Sequence, residues 1–151
     1  MANGGSPVQA VSVAVRRGDT LLLVLRGRPP SLGLHAFPGG RVEPGETLEE
    51  AARRELREET ALEAAETAAF RTIRVPDDDP AAPGFELTVF TASTLAGTPR
   101  AGDDAAAVGF YTLAEMSAMP VIASVLAIAR ELLPPAPGSP GKRLTSDKNP
   151  C

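Results

Sequence analysis

The feature that most constrains this chain is a helix carrying carboxylates on its apolar side. Thr47 followed by Glu50 is a capping-box pattern, and the segment to Thr60 is rich in Ala, Leu, Glu and Arg. At about 100° per residue, with Glu55 at zero, Leu48 falls at about 20°, Glu59 at about 40°, Ala52 at about 60° and Ala51 at about 320°. Leu56 lies at about 100°, and Glu58, at about 300°, borders the stripe; Glu49, Glu50, Arg53 and Arg57 take the opposite side. A solvated amphipathic helix would keep acids off its packed face. Carboxylates at i, i+3 and i+4 repel one another, more strongly when partly buried. Protonation or a hard divalent cation relieves that repulsion, and oxygen ligands without nearby His or Cys suit Mg²⁺ or Mn²⁺ rather than zinc. The plain alternative is a charged surface helix, for which Glu49–Arg53, Glu50–Arg54 and Arg54–Glu58 supply i,i+4 pairs.

The flanks weigh against that alternative. Ahead of the helix, Gly27–Gly45 carries Pro29, Pro30, Gly33, Pro38, Gly39, Gly40, Pro44 and Gly45, and a loop of this kind in a compact domain is more often functional than idle. Before it, Ala10–Val15 alternates and Leu21–Leu25 is continuously apolar, with Arg17-Gly18-Asp19 between them as a hairpin turn. Beyond the helix, Ala68–Val75, Phe85–Thr94 and Ala107–Thr112 read as strands, and Val121–Leu133 as a second helix stopped by Pro134 and Pro135. Strands mixed with two helices, without strict alternation, predict an α/β fold: a mixed sheet with helices on both faces. One domain over 10–133 is expected, between a flexible 1–9 segment and a Pro-rich, disordered 134–151 tail.

From Gly40 to Leu62 the chain reads GRVEPGETLEEAARRELREETAL. This resembles the box of the Nudix hydrolase family (MutT-like), matching at Gly40, Glu46, Arg54, Glu55, Leu56, Glu58, Glu59 and Leu62. The resemblance implies the family's α/β/α sandwich around a mixed sheet. It also implies Mg²⁺-dependent (or Mn²⁺-dependent) hydrolysis of the pyrophosphate bond in a nucleoside diphosphate linked to a group X. Gly40, Glu55, Glu58, Glu59 and Asp104 are the implied metal contacts, with a backbone carbonyl at Gly39 or Gly40. The implied catalytic group is Glu55, Glu58 and Arg54, with either glutamate as base and with Arg54 and Glu46 holding the acids in place. The box departs from the family at Ala61, where a closing glycine is usual. A residue with a Cβ in the left-handed conformation there costs about 1 kcal/mol, so the expectation is a modest stability loss or an altered helix exit with the acids intact.

Arg26 and Arg28 leave the second strand toward the Gly-rich loop and are candidate substrate-phosphate contacts. His35, the sole histidine, reads as structural or solvent-facing, and Asp77–Asp79 as a solubilising turn. Pro76 and the run Gly102–Ala106 resemble relatives that hydrolyse ADP-ribose, which favours that substrate class. The alternatives are a nucleoside triphosphate pyrophosphatase serving nucleotide-pool sanitation, a non-catalytic nucleotide-sensing module, or a helical interaction protein. A net charge of −4 without a basic stripe argues against polymeric nucleic acid as partner. The one cysteine, Cys151, excludes an intrachain disulfide. No apolar run is long enough for a membrane span and no secretory signal is visible, so a cytoplasmic protein is expected. Family members are often dimers, which allows a homodimer here.

Overall fold

Six consecutive residues, Ala10–Val15, are buried in β1 (Val8–Arg17), and the sequence alternation explains how both faces are covered. Val11, Val13 and Val15 join one core cluster with Ala51, Ala52 and Leu56. Ala14 joins the opposite cluster with Met116, Val125 and Ile128. A strand buried on both sides lies between two helical layers. The computed structural model describes residues 6–29, 31–94, 96–102 and 105–133.

The other strands are β2 (Thr20–Arg26), β3 (His35–Ala36), β4 (Gly39–Arg41), β5 (Ala64–Val75), β6 (Phe85–Thr94) and β7 (Ala105–Thr112). The sheet runs β3-β2-β1-β6-β5, with β4 paired to β1 and β7 to β2. Among the described strands β1 and β6 pair in parallel and the other pairs are antiparallel, so the sheet is mixed. Helix α1 (Leu48–Thr60) packs on one face, and α2 (Leu113–Ser117) with α3 (Ala123–Leu132) on the other, as the expected sandwich requires.

The β1–β2 hairpin turns through Gly18 at φ 59° but pairs only at Arg16–Leu21 and Arg17–Thr20. Beyond that point the strands part: β2 takes β3 and β7, while β1 takes β4. The Gly/Pro-rich loop is therefore partly sheet, which its sequence conceals, because two- and three-residue strands show no periodicity. The turn Phe37–Pro38 carries the chain from β2's side to β1's and delivers Gly39 and Gly40 beside α1.

Three further differences have local causes. Helix α2 follows its own capping box, Thr112 with Glu115, too short to show an apolar period. Helix α3 starts at Ala123 because Val121 is held in a bridge with His35 and the Ile122 N–H donates to the His35 carbonyl. Strands β5 and β7 each begin earlier than the alternation predicts, β5 with register shifts near Ala64 and Ala69 that break its pattern.

At the end of α1, Ala61 adopts the left-handed conformation, φ 65° and ψ 11°, and its N–H donates to the Arg57 carbonyl. The helix exit is thus the one a glycine would make, at the expense of a strained Cβ. Ala61→Gly should raise stability by about 1 kcal/mol, or about 3 °C in Tm, with metal affinity unchanged. Calorimetry with a Mn²⁺ titration checks this; a change in affinity larger than the change in stability would overturn it.

Candidate active site

Thr47 caps α1 by accepting from the Glu50 N–H, while Glu50 accepts from the Thr47 N–H, which fixes where the helix begins. Ala51, Ala52 and Leu56 are fully buried against β1, and this packing sets the helix's rotation. The same rotation turns Glu55 and Glu59 toward β4. In β4, Gly39 lies opposite Ser12 and Gly40 opposite Val11. The Gly39 N–H donates to Glu59 Oε1 at 3.1 Å. A Cβ on Gly40 would lie 2.3 Å from Glu55 Oε2, so only glycine leaves room for that carboxylate.

Arg54 organises the acids. Its Nε and Nη2 form a fork on Glu46, at 2.5 and 2.9 Å. Nη1 donates to Glu55 Oε2 at 3.0 Å and to Glu58 Oε1 at 3.2 Å, and Nη2 also donates to the Arg41 carbonyl at 3.0 Å. All five guanidinium hydrogens therefore have acceptors. The Arg54 hydrogen bond, helped by the Glu43 N–H, pulls the Glu46 carboxyl down to about 2. Glu46 in turn raises the guanidinium above its ordinary value. Burial pushes the Glu55 carboxyl up, and its bond to Arg54 offsets only part of that rise.

The three acids of the helix are not equivalent. The Glu55 side chain is 13% exposed, whereas that of Glu58 is 56% exposed and turned onto Arg54. Glu55 and Glu59 are both in the wall of a cavity of about 510 Å³, and Glu58 is not. Among the described residues no three His, Cys, Asp or Glu side chains stand together in a ready-made metal cage. Arg26 and Arg28 also belong to the cavity wall, together with Arg41, which sits 5.6 Å over the Phe85 ring. Asp104 lies outside the described residues. Gly102, two positions earlier, packs against the end of α1, its N–H donating to the Glu59 carbonyl.

His35 is structural in the fold. Its ring nitrogen Nδ1 lies 3.0 Å from the Pro120 carbonyl and its ring meets Tyr111 edge-on. The acidic turn is divided: Asp77 and Asp79 cap backbone N–H groups at 2.9 Å, while Asp78 reaches the cavity wall. Asp78, read in the sequence as part of a solubilising turn, and Arg41, which carried no sequence signal, both come to the cavity through the pairing of distant strands. The wall continues into apolar residues of α3, including Val125 and Ile128.

Fold and site together define an α/β/α domain that displays two half-buried glutamates, one held by Arg54 and one by the Gly39 N–H, to a cavity between strands and helix. The chain matches the family model for the NUDIX domain over residues 6–134, and it belongs to that family. It is 37% identical over 107 residues to an ADP-ribose pyrophosphatase of Methanocaldococcus jannaschii, covering 71% of this chain and 63% of that protein. It is 43% identical over 94 residues to a Mycobacterium tuberculosis protein provisionally named 8-oxo-dGTP diphosphatase 2, covering 62% of this chain and 65% of the relative. In both cases the match spans less than two-thirds of the relative's length. A MutT NUDIX hydrolase from Burkholderia pseudomallei superposes with a TM-score of 0.75 at 26% identity, over 84% of this chain and 98% of that one.

Proposed function

We propose that the chain hydrolyses the pyrophosphate bond of a nucleoside diphosphate linked to a further group, with ADP-ribose as the favoured substrate class and Mg²⁺ as the metal. The observation that carries this reading is the placement of Glu55 and Glu59 in one cavity wall, against a diglycine strand with no side chain to crowd them. The donor chemistry fits Mg²⁺, which takes one or two carboxylates and keeps waters that phosphate oxygens replace. Glu59 and a backbone carbonyl of Gly39 or Gly40 would hold it, with Glu55, Glu58 and Asp104 as further candidates. When bound, the ion supplies charge neutralisation on the diphosphate oxygens.

The chain's own residues do the rest. Of the two glutamates open as base, Glu55 is favoured, since it faces the cavity and burial raises its proton affinity. It accepts a proton from water as the water oxygen bonds to one phosphorus and the anhydride oxygen leaves in line. Arg54 fixes the direction of the Glu55 carboxylate. Arg26, Arg28 and Arg41 offer cationic contacts for phosphate at the wall.

The Methanocaldococcus relative's name and the position of Pro76 in the cavity wall support ADP-ribose. The Mycobacterium relative's name supports a second reading, a nucleoside triphosphate pyrophosphatase. A hydrolysis panel with Mg²⁺, Mn²⁺ and EDTA arms separates them. ADP-ribose should yield AMP and ribose phosphate, with turnover abolished by EDTA and restored by excess Mg²⁺. Pyrophosphate release from triphosphates, with ADP-ribose untouched, would favour the second reading; turnover unaffected by EDTA would overturn the metal.

No helix among the described residues is long and apolar enough to cross a membrane.

A further inference from the structure

Three polar side chains are buried among the described residues: Ser12, Thr60 and Thr88. Two have partners. Thr60 donates to the Leu56 carbonyl at 2.6 Å, and Thr88 shares a 3.3 Å bond with Thr72. Ser12 is only 7% exposed, yet its Oγ is buried with no hydrogen-bond partner. It also forms part of the cavity wall that contains Glu55 and Glu59.

The surroundings make this hydroxyl conspicuous. Toward α1, β1 presents Val11, Val13 and Val15; toward α3 it presents Ala10, Ser12 and Ala14. The small residues on the second side leave the cavity its volume. Alanine at position 12 would leave the same space, whereas serine there buries a hydroxyl whose desolvation no described residue repays. Along the strand, Ser12 lies opposite Gly39, whose N–H binds Glu59. Its other flank, across β6, is Val89, in the apolar part of the wall with Val125. Ser12 therefore stands where the acidic end of the cavity gives way to the apolar end.

We propose that Ser12 is a substrate-binding residue, its hydroxyl, sealed from solvent in the free protein, turning about χ1 to hydrogen-bond the nucleoside part of the ligand next to the diphosphate. This rests on the nucleotide reading of the cavity. A diphosphate at the acidic end places its attached sugar, rich in hydroxyl donors and acceptors, over the strand that carries Ser12. The bond forms only in the complex, so the residue contributes to affinity and not to the stability of the free protein.

The test compares wild type with Ser12→Ala by titration calorimetry and thermal scans. ADP-ribose in EDTA probes the nucleoside contact without turnover, and inorganic pyrophosphate with Mg²⁺ probes the acidic end alone. Ser12→Ala should bind ADP-ribose about tenfold more weakly, bind pyrophosphate as wild type does, and melt at the same temperature or higher without ligand. Equal ADP-ribose affinity in the two proteins overturns the role of Ser12 and leaves the nucleotide reading standing. So does a lower melting temperature for the free variant, which would make the hydroxyl structural. A wild-type protein that binds pyrophosphate with Mg²⁺ but binds no nucleotide with or without the ion overturns the nucleotide reading and this inference with it.

Discussion

Glu55→Gln should lower kcat by about 10²–10⁴-fold while leaving the fold intact, and Glu59→Gln should lose turnover on a similar scale through weakened metal binding. The amide keeps the shape of each side chain, so neither change opens a hole. At position 55 the lost charge is one that burial already disfavours. Arg54 keeps its fork on Glu46, so the neighbouring network survives. At position 59 the amide oxygen still accepts from the Gly39 N–H. What each variant loses is anionic oxygen facing the cavity. A Mn²⁺ titration divides the two roles: Glu59→Gln should bind the ion more weakly, and Glu55→Gln should show the larger loss of rate at saturating metal. Glu49→Gln is the control, since Glu49 lies on the other side of α1, bound to Thr67 and Arg53. Full turnover in both Glu55→Gln and Glu59→Gln would remove the basis for the proposed chemistry.

The legible part of this site was local. The helix, its cap and the inward turn of Glu55 follow from one amphipathic segment, because helical geometry converts spacing into direction. Strand β6 matched its sequence pattern from Phe85 to Thr94 for a similar reason: it is a long run of strand formers between a glycine and a loop. What the sequence hid was set by pairing between distant segments. Gly39 and Gly40 become a strand only because β1 is there to receive them. Arg41 reaches the cavity from the end of β4 and Asp78 from the β5–β6 connection, and Ser12 is one small residue in a strand that reads as ordinary core. The helical wheel placed Glu58 at the border of the stripe but could not say which way a border residue turns. Its competing neighbour Arg54, one helical turn back, draws it toward solvent.

That arginine is the basis of the second large effect. Arg54→Ala should lower Tm by about 5–10 °C and reduce turnover sharply, because it leaves the half-buried Glu55 without its cation and frees Glu46 and Glu58. Arg54→Lys should recover only part of either, since one ammonium cannot fork on Glu46 while reaching Glu55, Glu58 and the Arg41 carbonyl. The loss should depend on pH in a defined direction. Arg54 lowers the Glu46 carboxyl from 4.5 to about 2, so the native state holds fewer protons than the unfolded chain across that interval. The resulting stabilisation is complete above the unfolded value and disappears as pH falls from 4.5 toward 2. The gap in Tm between wild type and Arg54→Ala should therefore be widest near neutral pH and narrow through that acid window. Thermal scans across the window measure it. An unchanging gap would mean that the guanidinium acts by filling space, and the acids of α1 would then need another reason to hold their directions.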